Sequence, residues 1–297
     1  MKFYIVTPAY NALSWLQRCI YSVADQVAEG VEVHHHIQDG GSSDGTPEWL
    51  ENWQQEHASS PGYTFTYESG KDAGMYDALN KAWEKTPSDA AVTAHLNSDE
   101  QYLPGALKTV SEAVLTHADA DILLTSYIVI DANGRYICHR RPATPRKWIS
   151  RISCEIFTCA CFHKVDTFLK HGVRFDTRFR SIADMVMYRD LVNLNLNFRP
   201  LPGVVTTLFT VTGSNLAWTE ATQIDQDILL KENPHMGSWF NRNIPYRVSG
   251  LLRTLKDILY PAPRQYAVYT VTGTERVTFP IMNPTCRWGK KRTSAES

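Results

Sequence analysis

No run in this 297-residue chain approaches the roughly 18 apolar positions that a membrane-spanning helix needs. The longest candidate, Ile122 to Ile130, is short and interrupted by Thr125 and Ser126. The apolar run within Met1 to Tyr10 is too short for a secretory signal, and the six cysteines, Cys19, Cys138, Cys154, Cys159, Cys161 and Cys286, contain no C-x-x-C pair. The expectation is a reducing cytoplasm and no disulfide scaffold. Neither sign of charge dominates, because 30 basic residues face 31 acidic ones for a net of -1. That removes the footprint of a dedicated nucleic-acid binder. Two phosphate-binding fingerprints, G-x-G-x-x-G and G-x-x-x-x-G-K-[ST], are also missing. Neither a dinucleotide fold of the Rossmann type nor a P-loop is expected.

What is present is an ordinary globular composition, with 43% apolar and 21% charged residues, in a chain long enough for one large α/β domain or two small ones. Strand-like and helical patterns alternate along its first third. Phe3 to Val6 reads as a strand stopped by Thr7-Pro8, and Trp15, Cys19, Ile20 and Val23 recur at helical spacing. Val31 to Gln38 reads as a second strand, with a helix starting at Thr46-Pro47. Tyr63 to Tyr67 is a third strand, and Met75, Ala78, Leu79, Ala82 and Trp83 form an amphipathic stripe. Ala91 to Leu96 is a fourth strand, followed by a helix over Pro104 to Leu115. Such alternation implies a mainly parallel sheet with helices on both sides.

Open sheets of this kind bind ligands beyond the carboxyl ends of their strands. Here each such end carries polar, loop-forming residues: Thr7 to Asn11, Asp39 to Thr46, Glu68 to Gly74 and Asn97 to Glu100. Asp39-Gly40 is by itself an ordinary turn former. A carboxylate held there can equally accept a pyrimidine N–H, with Tyr10 covering the ring face. Asp99 reads either as the cap of the helix after Pro104 or as a hard oxygen ligand for Mg²⁺ or Mn²⁺ on a diphosphate. Three histidines in a row, His34 to His36, alternate faces of a strand and cannot converge on one metal. Cys154, Cys159 and Cys161 lack zinc-ligand spacing and read as buried thiols.

Thr7-Pro8-Ala9-Tyr10-Asn11, Asp39-Gly40-Gly41-Ser42-Ser43-Asp44-Gly45-Thr46, the run Asp72 to Lys81, and Leu96-Asn97-Ser98-Asp99-Glu100 together resemble the family 2 glycosyltransferases of GT-A fold. The resemblance extends over about residues 1 to 215, through the segment Leu208 to Ser214. It implies that Thr7, Pro8, Ala9 and Tyr10 cradle the nucleobase of a nucleotide-sugar donor, that Asp39 takes a base N–H, and that Asp72 lies beside base or ribose. Asn97 and Ser98 are assigned to the same nucleotide, and Asp99 to a Mn²⁺ or Mg²⁺ ion on its diphosphate.

Phe175-Asp176 and Ser181 to Leu191 resemble the part of the family that supplies the catalytic base, with Asp184 at the matching position. A surface pair with Arg180, four residues earlier, is the other reading of Asp184. Its flanking Ile182, Ala183, Met185 and Met187 suggest a partly buried setting that raises its pKa.

The reading divides the chain into a GT-A domain over 1–230, with a nucleotide-sugar half (1–100) and an acceptor half (101–230), and a basic extension over 231–297. Residues 241–297 carry ten Lys/Arg and three Asp/Glu. Within them, Val248, Leu251, Leu252, Leu255, Ile258 and Leu259 share one face of a helix over 244–260. It reads as docked on the domain or lying on the inner face of the membrane. Gly289 to Ser297 reads as a polar, disordered end. The expected function is inverting transfer of a sugar, from a UDP-sugar by preference, to a saccharide or polyisoprenyl-linked acceptor in surface-glycan synthesis. A non-catalytic nucleotide-sugar or glycan-binding module is the alternative.

Overall fold

The computed structural model describes residues 1–150, 156–213, 220–233, 255–256, 258–271 and 273–287. Strand β1 (Lys2–Ala9) leads to helix α1 (Leu13–Ala24), then β2 (Glu32–Asp39), α2 (Thr46–Glu56), β3 (Tyr63–Ser69), α3 (Met75–Trp83) and β4 (Val92–His95). The period of two in β1 explains why helices cover both faces. Phe3 and Ile5 point into a core with Leu16, Ile20 and Leu50, whereas Tyr4 and Val6 point into another with Leu79, Trp83 and Phe175. Strands β3, β2, β1 and β4 are neighbours in that order and run parallel.

Strand β1 runs on through Thr7-Pro8, where the sequence pattern predicts its stop: Pro8 pairs with Gln38 and Ala9 with Asp39. The ladder to β4 ends at Val6, so Pro8 has a strand on one side only and its missing N–H is tolerated.

The second half adds β5 (Gln101–Tyr102), α4 (Ala106–Thr116), β6 (Ile122–Asp131), β7 (Tyr136–Arg140), α5 (Lys147–Ser150), a 3-10 turn (Thr158–Ala160), β8 (Cys161–Lys164), α6 (Val165–Lys170), α7 (Ala183–Asn193), β9 (Phe198–Val211) and α8 (Glu220–Glu232). The sheet order is β3-β2-β1-β4-β8-β6-β9-β5, with β7 on β6. Strand β8 runs antiparallel to both β4 and β6, and the long β6–β9 ladder is parallel again. The result is an α/β fold with a mostly parallel central sheet flanked by helices.

In the basic extension, β10 (Gln265–Tyr269) and β11 (Arg276–Pro280) form an antiparallel hairpin that the sequence reading did not contain. Tyr266, Val268 and Ile281 pack against Leu103, Ile128, Ile130 and Leu208. Of the helix expected over 244–260, residues 244–254 and 257 lie outside the described residues, as does the expected disordered end 289–297. Ile258 and Leu259 are exposed, and Lys256 donates to the Pro142 carbonyl. No helix among the described residues is long and apolar enough to cross a membrane.

The three histidines behave as strand residues. His35 bonds to Thr7, while His34 and His36 both reach the Thr66 hydroxyl from the other face. Cys159 and Cys161 are buried free thiols, and Cys154 lies outside the described residues.

Candidate active site

The parallel register brings Ala9, Asp39 and Ser69 level with one another at the carboxyl ends of β1, β2 and β3. Asn97 follows β4 on the same edge, since the Leu96 N–H bonds to the Val6 carbonyl. Much of what looks like a binding motif in the sequence ties these loops together. Asn11, in the left-handed region at φ 48°, accepts the Ser43 N–H at 2.8 Å, and its own N–H donates to the Ser42 hydroxyl. Asp44 accepts the Leu13 N–H and the Thr46 hydroxyl. The first two loops therefore form one clamp.

Asp39 is fully buried within that clamp. Its carboxylate accepts the Gly41 and Ser42 N–H groups and the hydroxyls of Ser42 and Ser69, the last from the neighbouring strand. Asp72 lies against it. A Cβ at Gly40 would sit 2.8 Å from an Asp72 carboxylate oxygen, so a larger residue there would push the Asp72 side chain out of its place. Asp72 also accepts the Gly74 N–H at the entry to α3. Of residues 7–10, Thr7, Pro8 and Ala9 are buried and Tyr10 is 66% exposed, an aromatic face presented on the loop. The Thr7 hydroxyl is turned inward onto His35.

The fourth loop holds two adjacent carboxyls. Asn97 and Ser98 are half-buried, and Glu100 is buried and folds the turn back on itself by accepting the Asn97 N–H at 2.7 Å. Burial raises both Asp99 and Glu100 above the ordinary carboxyl range, and the Asp99 charge raises Glu100 further. The buried Arg18 of α1 draws Asp99 part of the way back down. A divalent cation would supply the countercharge that this acidic turn calls for. No cluster of three His, Cys, Asp or Glu able to hold a metal exists among the described residues. An ion bound through Asp99 would therefore complete its shell with diphosphate oxygens and water, which suits Mn²⁺ or Mg²⁺.

Asp184 opens α7, on an element of the second half, and α3 links it to the rim. The Tyr76 hydroxyl lies 3.3 Å from the Asp184 carboxylate, and the Met185 N–H donates to the same oxygen at 2.8 Å. One turn on, Asn80 holds the Phe175 backbone with two hydrogen bonds of 2.9 Å. Burial raises Asp184, as its apolar flanks imply, and among the described residues it forms no ion pair with Arg180.

The fold thus places Ala9, Tyr10, Asp39, Asp72 and the Asn97 to Glu100 turn along one edge, with Asp184 tied to α3 beside Asp72. Arg18, Ser42, Ser69, Tyr76, Asn80 and Glu100 are given no individual role by the sequence. Ser42, Tyr76, Asn80 and Glu100 lie within the motif runs, whereas Arg18 and Ser69 carry no signal there.

The described fold has known counterparts. TarS residues 1–349 of S. aureus, in complex with UDP-GlcNAc, superimposes with a TM-score of 0.57 at 17% identity, covering 78% of this chain and 66% of that one. A second structure of the same TarS fragment gives a TM-score of 0.56 at 17% identity over 78% and 65% of the two chains. Mannosyltransferase PcManGT from Pyrobaculum calidifontis, in complex with GDP-Man and Mn²⁺, gives 0.55 at 16% identity over 82% and 66%. The chain therefore spans just under two thirds of the length of these neighbours. No curated protein sequence matches it. The model of the glycosyl transferase family 2 matches residues 4–189, more than half of the chain, and on that match the chain belongs to glycosyl transferase family 2.

Proposed function

We propose that the chain is an inverting glycosyltransferase that moves a sugar from a nucleoside-diphosphate donor, a UDP-sugar by preference, to a hydroxyl of a saccharide or lipid-linked acceptor. The observation that carries this reading is the convergence of four strand-end loops on one edge, with the raised Asp184 bound to that edge through Tyr76. Fixed positions for donor and base are what a single displacement needs.

Tyr10 offers its face to the base, Asp39 and Asp72 line the nucleotide edge, and Asn97 and Ser98 approach the diphosphate. Asp99 would hold Mn²⁺ or Mg²⁺, which when bound offsets the charge growing on the leaving diphosphate. Asp184 takes the proton of the acceptor hydroxyl as its oxygen attacks the anomeric carbon and the bond to the nucleotide breaks. One displacement inverts the anomeric configuration. The UDP-GlcNAc bound by TarS supports the uridine preference, and the Mn²⁺ with PcManGT supports the ion.

Thermal melts with Mn²⁺ and separate UDP-, GDP- and dTDP-sugar series test the donor. A cognate donor at 100 times its dissociation constant adds about 2.7 kcal/mol of stability. The absence of any shift across all three series overturns the reading.

A further inference from the structure

Beside the nucleotide edge, the first half of β6, the end of β7 and residues 156–160 line a cleft open to solvent. It contains none of Asp39, Asp99 or Asp184. The 3-10 turn connects the two places: Cys159 lies in hydrogen-bond reach of Glu100, whereas Ala160 lines the cleft and its carbonyl accepts the Thr125 hydroxyl at 3.3 Å.

Two polar groups at this cleft keep hydrogen-bonding capacity to spare. Tyr127 is 4% exposed, and its hydroxyl has no hydrogen-bond partner among the described residues. Leaving such a group unpaired costs about 1–3 kcal/mol. Arg140 lies within hydrogen-bond reach of the Tyr127 oxygen, which leaves the O–H itself without an acceptor; its bond to the Cys286 carbonyl is long, 3.4 Å, and no described carboxylate pairs with it. The neighbouring Arg141 is different. It is committed to the carbonyls of Pro202, Tyr260 and Pro261. Phe157 lies 4.7 Å from the Tyr127 ring, which gives the cleft an aromatic wall suited to the C–H face of a sugar.

We infer that this cleft receives the acceptor, and that the acceptor is a saccharide bearing an anionic group, a carboxylate or a phosphate, gripped by Arg140 with the Tyr127 hydroxyl donating beside it. The inference rests on the transferase reading above and adds the class of acceptor. A guanidinium fork matches either anion, and a neutral sugar leaves both groups unpaired, which is how polar sites reject analogues that lack the matching group.

The test is saturation-transfer NMR on the full chain with three probes, methyl β-glucuronide, glucose 6-phosphate and methyl β-glucoside, each with and without saturating UDP. The two anionic probes separate carboxylate from phosphate. At least one should bind the wild type, stay bound with UDP present, and weaken about tenfold or more in Arg140→Gln. Tyr127→Phe should weaken the same probe, and it keeps the ring that packs on Phe157, with an unchanged melting temperature confirming that the fold is spared. Silence from both anionic probes, equal binding in Arg140→Gln, or displacement by UDP overturns the inference. Melts with nucleotide sugars on the same samples keep the two readings apart. A donor shift without anionic-sugar binding sinks the acceptor class alone, and the loss of any donor shift sinks the transferase reading.

Discussion

A carboxylate can serve as a base only while ionised, and the burial of Asp184 works against that. The acid limb of the transfer rate should therefore lie above the ordinary carboxyl value of 3.8. Asp184→Asn should lower turnover by about 10²–10⁴-fold with donor affinity retained. Unchanged turnover contradicts the assignment, and a non-catalytic module would show no transfer in either form. Stability gives an independent reading of the same residue. Because the folded pKa is raised, the native state holds this proton more tightly, and the cost of ionising it appears as pH rises above 3.8. The substitution should raise the melting temperature at pH 7, and the gain should vanish at pH 3. Asp39 illustrates the opposite situation, a carboxylate whose oxygens are occupied by its own clamp. Its sequence context shows the turn, and only the fold shows Ser69 arriving from the next strand.

Helix α3 and the β10–β11 hairpin act as connectors. Tyr76 and Asn80 are four residues apart, so they share a face of α3 and reach α7 and Phe175 together. The hairpin is joined to α1 through Arg276, whose guanidinium makes a two-point bond to Asp25 at 2.6 and 2.9 Å and lies over the Tyr269 ring. The Tyr269 hydroxyl donates to the same carboxylate. Arg276 is mostly buried, so this pair should exceed an ordinary surface bridge. A double-mutant cycle of Arg276→Ala and Asp25→Ala, followed by denaturant unfolding, should show a coupling of about 1–2 kcal/mol. Additive effects would mean that the hairpin is held by its apolar face alone.

Among the described residues, burial lowers five histidines: His35 and His95 to about 3, His36 and His163 to about 4, and His34 below its ordinary value. Depressed folded values mean that the unfolded chain takes up protons first as pH falls below 6.5, each such group costing as much as about 1.4 kcal/mol per pH unit. Asp99, Glu100 and Asp184 are shifted upward and pull the other way. Five groups against three should leave a net loss, with the melting temperature dropping between pH 6.5 and 4.5. A flat or rising profile contradicts the neutral histidine core.

The local signals in the chain were sufficient for the parallel first half. Apolar runs, helical stripes and turn residues mark β1 to β4 and their helices, because each depends on neighbours a few positions away. The same locality made the four strand-end motifs legible. The antiparallel insertion of β8, the continuation of β1 through Pro8 and the hairpin of the basic extension were decided by the tertiary structure, since strand pairing depends on partners distant in sequence. That also holds for the site. Which carboxyl is clamped, which is raised by burial, and that Tyr76 meets Asp184 across 108 positions follow from dielectric and contact, and those exist only once the two halves have packed.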